Sequence, residues 1–120
     1  MRKYAILTMP IEDVKKVMIY DCFDGVYLFL FRDTHNDGAG FADEWYASLE
    51  EAENYAVKYG ISENDWIYID DPMPDCQHDI ITPVRIKGRN IGKPQWGSFE
   101  KLIDGVWVDF DFTKYHSQDT

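Results

Sequence analysis

The best local signal in this 120-residue chain is a stretch whose apolar side chains repeat at helical spacing. Leu49, Ala52, Tyr55, Ala56 and Tyr59 recur at intervals of three and four, while Glu50, Glu51, Glu53, Asn54 and Lys58 fall on the opposite side. The ends of the stretch carry matching signals. Ser48 stands three residues before Glu51, the spacing of a capping box. Acids crowd the first turn, where the helix dipole favours them. Gly60 can take the left-handed conformation that ends a helix, with Ile61 folding back on Ala56. A helix over residues 49–59 is predicted, and the rest of the fold must be made from short strands.

The strand-like runs are residues 4–9, 16–20, 26–32, 41–47, 66–69, 81–87, 98–103 and 106–112. Pro10 has no N–H to give a ladder and is expected to stop the first of them. Asp24-Gly25 and Asp104-Gly105 each lie between apolar runs, the strongest short hairpin signal. Residues 26–31 are apolar on both faces, as in a central strand covered on each side or one whose outer face meets a partner. The expected fold class is α+β: one main helix packed on an antiparallel or mixed sheet of about five to eight short strands. No linker or repeat divides the sequence, so residues 1–112 are expected to form a single globular domain and residues 113–120 a frayed polar tail.

Composition narrows the function classes. With 45% apolar and 16% aromatic residues, the chain can build a core and is not disordered. Two cysteines, Cys22 and Cys76, do not make a disulfide framework. The apolar residues that follow Arg2 and Lys3 stop at Pro10, too soon for a secretory leader. The longest uncharged apolar run, residues 26–31, falls far below the roughly 18 residues that span a bilayer. A cytoplasmic location is the expectation. The formal net charge is −10, and such a surface repels phosphate backbones and anionic lipid, so neither nucleic acid nor membrane is expected as a partner.

The charge is unevenly placed. Residues 1–75 hold 16 acids and 6 bases, whereas residues 76–120 hold 6 of each. Residues 84–94 carry Arg85, Lys87, Arg89 and Lys93 with no acid. Strand alternation would set Arg85, Lys87 and Arg89 on one face, with Trp96 as a nearby stacking surface. These four residues are the candidate site for an anion or a partner. The bland alternative is that the cations pair with acids of their own domain, and pairing is the expected outcome.

Cys76, His78 and Asp79 gather a thiol, an imidazole and a carboxylate within four positions, but neighbours in a loop rarely aim at one point. Zinc would need four ligands. Asp33, His35, Asn36 and Asp37 lack the spacing of a calcium loop. No catalytic residue, metal site or cofactor is assigned.

Trp45, Tyr46, Trp66, Tyr68, Trp96 and Trp107 outnumber the rings that one small core encloses, and such rings are frequent where one protein grips another. The leading expectation is a non-catalytic binding or regulatory domain acting through protein contacts. The charge favours a basic partner, as for an inhibitor or immunity-type protein; self-association is a further option. The alternative is a small enzyme or binding module for an anionic ligand, with Arg85, Lys87 and Arg89 holding the anion and the Cys76–His78–Asp79 loop moving protons.

Overall fold

Eight strands and one main helix make up the α+β fold of the computed structural model, which describes residues 1–111. The strands divide between two antiparallel sheets. The chain gathers into two compact units. The first comprises Met1–His35 and Gly40–Asp71, and the second comprises Asn36–Ala39 and the chain from Pro72 on.

The sheet of the first unit contains β1 (Arg2–Ile11), β2 (Val14–Cys22), β3 (Gly25–Phe31), β4 (Ala42–Tyr46) and β5 (Ile67–Ile69), in the order β4-β3-β2-β1-β5. The main helix, α1 (Leu49–Ala56), runs on into a single 3-10 turn, Val57–Tyr59, so the helical segment covers the predicted length. At its start the Ser48 hydroxyl accepts the Glu51 N–H at 3.2 Å. The reciprocal bond is displaced by one residue, because the Glu51 carboxylate accepts the N–H of Ala47, at 3.2 Å, in place of that of Ser48. Gly60, at φ 76°, ends the segment. Ile61 then enters the same core as Ala56.

Ala5, Leu7, Val17, Ile19, Val26, Leu28 and Leu30 share this core with Ala52, Ala56 and Tyr59. Alternation sends Tyr4, Met18, Tyr20, Tyr27, Phe29, Phe31 and Trp45 to the other side of the sheet. Both faces of β3 are therefore apolar, as predicted for a central strand.

The expected stop at Pro10 is corrected, since β1 continues through it to Ile11. Ile6 pairs with Lys16 and Ile11 with Val14, which leaves residues 7–10 opposite Lys15 alone. Pro10 lies within this bulge, where no ladder donor is required. The turn beyond it uses Glu12 and Asp13 at φ 52° and 66°, a two-residue turn normally built from Asn or Gly. The next hairpin turns on Phe23 and Asp24, with Gly25 already paired to Cys22. Asp104 and Gly105, at φ 50° and 80°, make the expected turn between paired Ile103 and Val106.

In the second unit, β6 (Val84–Ile86), β7 (Phe99–Ile103) and β8 (Val106–Phe110) lie in that order. Its small core joins Ile80, Val84 and Phe110 to Ala39 and Phe99. The expected strand over residues 81–87 is shorter at both ends. Pro83 precedes it, and Gly88 at φ 80° turns the chain into a 3-10 turn, Arg89–Ile91. The tail expected at residues 113–120, and Phe112 at the end of the last predicted strand, lie outside the described residues. No helix among the described residues is long and apolar enough to cross a membrane.

Candidate functional site

The cationic segment is built on β6 and the loop after it. Arg85 and Lys87 reach Glu100 and Asp109, whereas Arg89 lies beyond the strand, where alternation no longer sets its side, and meets Asp75. The strand has ended by Ile86, and Arg89 belongs to the 3-10 turn. That is a correction of the predicted three-cation face, and its cause is the left-handed Gly88. Trp96 is exposed in the following loop.

Each of the three cations meets a carboxylate of its own unit. Arg85 Nε donates to Glu100 Oε1 at 2.8 Å, with side-chain exposures of only 14% and 15%. Its guanidinium also lies 3.6 Å from the centre of the Trp107 ring. Lys87 Nζ donates to Asp109 Oδ1 at 2.7 Å, and this bond holds the Lys87 ammonium above its ordinary pKa. Arg89 Nε is 3.9 Å from Asp75 Oδ1. Glu100 and Asp109 come from β7 and β8, where they are cross-strand partners, and Glu100 is also the partner of Arg85. Arg85, Glu100 and Asp109 therefore form one row across the sheet. Beside it, Lys87, Ser98, Phe99, Asp109, Phe110 and Asp111 line an open cleft of about 430 Å³.

The Cys76–Asp79 loop is pulled in two directions. Cys76 is buried and its backbone pairs with that of Arg85, while His78 is exposed. In the Gly-rich loop, the Asp33 carboxylate accepts the His35 N–H at 3.0 Å. Asp37 accepts from Lys101 Nζ at 2.8 Å. Among the described residues no group of three or more His, Cys, Asp or Glu side chains is placed to hold a metal ion.

The first unit presents a different surface, and sequence reasoning missed its cause. This unit has 14 acids and six bases. Three of the six bases, Arg2, Lys3 and Lys16, are buried, and none of the acids is. Arg2 Nε donates to the Asp70 carbonyl at 2.8 Å, and Lys16 Nζ to the His35 carbonyl at 2.9 Å. Lys3 Nζ meets Glu53 at 2.8 Å beneath the rings of Trp66 and Tyr68. Long basic side chains are thus turned inward, and the surface left behind is more anionic than composition alone implies.

Rings share that surface. Tyr20, Tyr27 and Trp45 are successive cross-strand partners on β2, β3 and β4. Tyr27 stacks on Phe29 with ring centres 6.1 Å apart. Trp45 is 55% exposed, and Phe23 at the hairpin tip is fully exposed. Asp24 pins the corner. Its carboxylate accepts from Cys22 Sγ at 2.8 Å and Tyr27 OH at 3.2 Å, and its carbonyl accepts from Trp45 Nε1 at 3.0 Å. Asp43 lies on the same side of β4 as Trp45. The Asp24 charge, then burial and that hydrogen bond, hold the Tyr27 phenol above its ordinary pKa. Tyr68 and Trp96 are also exposed, whereas Tyr46, Trp66 and Trp107 are half-buried.

Compared with protein-family models, with curated proteins and with solved structures, the chain matches none.

Proposed function

We propose that this chain is a non-catalytic binding or regulatory domain whose first unit grips a basic protein. The observation that carries the reading is the burial of Arg2, Lys3 and Lys16 in a unit none of whose 14 acids is buried. Exposed carboxylates steer a cationic partner over a distance, which raises the association rate more than it deepens the final affinity. The affinity must come from apolar contact, and Tyr27, Phe29 and Trp45 offer rings beside Asp24 and Asp43. An inhibitor- or immunity-type protein masking a basic enzyme would use such a surface.

The anion-binding and enzymatic readings of Arg85, Lys87, Arg89 and Trp96 have less support, because each of the three cations already has a carboxylate at 2.7 to 3.9 Å.

The test compares the wild-type chain with a Trp45→Ala/Asp43→Asn variant, each immobilised and exposed to extract of the native host. The reading expects the wild type to retain a basic protein in stoichiometric amount, released by salt and largely lost from the variant. Equal retention by both chains, or retention of acidic proteins only, would count against it.

A further inference from the structure

We infer that β4 is a docking edge, to which an extended Lys- or Arg-bearing segment of the partner adds as a sixth strand. The inference rests on the basic-partner reading and specifies how the partner is held.

The two edges of the five-stranded sheet are treated differently. At one edge β5 has only three residues and covers β1 from Arg2 to Tyr4. Beyond it, the open side of β1 carries the bulge and Pro10. Short edge strands, bulges and prolines are the usual devices that stop a sheet from growing. The opposite edge has none of these three, and the charges it does carry, Asp43 and Glu44, turn away a like-charged strand but not a basic one. All five residues of β4 pair with β3 in unbroken register, from Leu30↔Ala42 to Val26↔Tyr46. The strand contains no proline, glycine or lysine. Asp43, Glu44 and Trp45 are exposed, and no strand lies beyond β4 among the described residues.

The charges select the occupant. Asp43 and Trp45 point to one side of β4, and Glu44 and Tyr46 to the other. Successive side chains of an added strand would therefore meet a carboxylate on either face. Glu44 is held in place, accepting from Tyr46 OH at 2.7 Å and Tyr55 OH at 3.4 Å. Between Arg32 and Lys58 the sequence has seven acids and no Lys or Arg. A second copy of this chain is a poor occupant. Antiparallel pairing centred on β4 would set Glu44 opposite Glu44, between two chains each of net charge −10, and like charges directly opposite are destabilising. A Lys or Arg strand reverses that sign and can lay a cation on the exposed Trp45 ring. Backbone bonds to the open edge would supply affinity, and the alternate side chains would supply selectivity.

The test titrates the full ¹⁵N-labelled chain with a decapeptide of alternating Lys and Val. Controls are the same peptide methylated at every backbone nitrogen, which leaves neither edge able to donate, and a decapeptide of alternating Glu and Val. The expected result is binding of the Lys peptide with new exchange protection of β4 amides. Methylation, which removes hydrogen-bond donors while leaving the charge, should weaken binding by about tenfold. The variant Asp43→Asn/Glu44→Gln, checked as folded by its amide spectrum, should weaken it by a similar factor, and the Glu peptide should not bind. Equal binding of methylated and unmethylated Lys peptides, with β4 amides unchanged, would overturn strand addition and leave the basic-partner reading standing. Binding of neither Lys peptide, alongside capture of a basic protein through Trp45, would do the same. Failure of both peptide binding and that capture would overturn both. A dimer of the chain alone, with protected β4 amides, would assign the edge to a second copy and overturn the inference.

Discussion

The indole of Trp45 lies across Gly25, in the space that the Cβ of any other residue would enter, and its Nε1 donates to the carbonyl of Asp24 at 3.0 Å. Gly25 opens β3 two positions before Tyr27, the cross-strand partner of Trp45. The ring thus covers a diagonal glycine, restoring the packing that a missing side chain loses at a strand end. It also holds a large exposed ring in one place.

Gly25→Ala should disturb both partners. The new methyl would collide with the indole, and alanine would have to adopt a φ of 130°, a region that L side chains rarely enter. Because Trp45 is half exposed it can swing aside, so the cost is lost packing plus backbone strain, about 1–3 kcal/mol. Urea denaturation followed by tryptophan fluorescence would measure it, with a red shift in the folded state reporting the displaced ring.

Arg85→Gln should cost more than the same change at Arg89. The Arg85–Glu100 pair is well shielded and the guanidinium stacks on Trp107, whereas Arg89 and Asp75 are 48% and 42% exposed. Removing one partner of a shielded pair leaves the other short of its compensation, here about 2 kcal/mol against roughly 0–1 kcal/mol for the exposed pair. Thermal melts at constant ionic strength would rank them. A rise in Tm specific to phosphate or sulfate, lost on Lys87→Gln, would instead place an external anion at this sheet.

At low pH, Asp65 should be among the groups that resist protonation. The backbone N–H of Ser62 and then its hydroxyl donate to this carboxylate, at 2.8 and 3.0 Å, and hold its pKa below the ordinary value. A depressed folded-state pKa contributes stability above the unfolded pKa, and that contribution is lost as pH falls through the folded value. Ser62→Ala should therefore raise the Asp65 midpoint and shift the loss to higher pH. A carbon-detected NMR titration of the carboxyl group, wild type against variant, would show it.

The two thiols should separate cleanly. Cys76 is buried and Cys22 is not; burial, then the hydrogen bond to Asp24, pushes the Cys22 thiol above its ordinary pKa. Near neutral pH a thiol reagent should label Cys22 slowly and leave Cys76 untouched until denaturant is added. Rapid labelling of Cys76 in the folded protein would revive the nucleophile reading of its loop.

What the sequence made legible is what local chemistry decides. The helix and its cap at Ser48 depend on contacts within a few residues, as does the Asp104-Gly105 turn, and all of these were predicted. The continuation of β1 past Pro10 was not, because the bulge that tolerates proline is decided by pairing with β2. The same holds at the candidate site. That Arg85, Lys87 and Arg89 would meet acids could be expected from composition. That the acids would be Glu100, Asp109 and Asp75 depends on the register of β7 and β8 and on the turn at Gly88. Alternation along β1 and β2 does not disclose that Lys3 and Lys16 lie buried, since a lysine among apolar neighbours reads equally well as pointing to solvent.

Asp37 and Lys101, 64 positions apart, bear on the order in which the protein can be finished during synthesis. Once Asp71 has left the ribosome, every strand of the first unit exists. The loop Asn36–Ala39 must still wait, because the Asn36 carbonyl accepts from the amide of Thr82, and Asp37 from Lys101. Until those residues emerge, the nascent sheet carries an unclosed loop with its carboxylate in water. The same interleaving means that the second unit is not one continuous cassette: a segment cut at Pro72 would arrive without the carboxylate that receives its lysine.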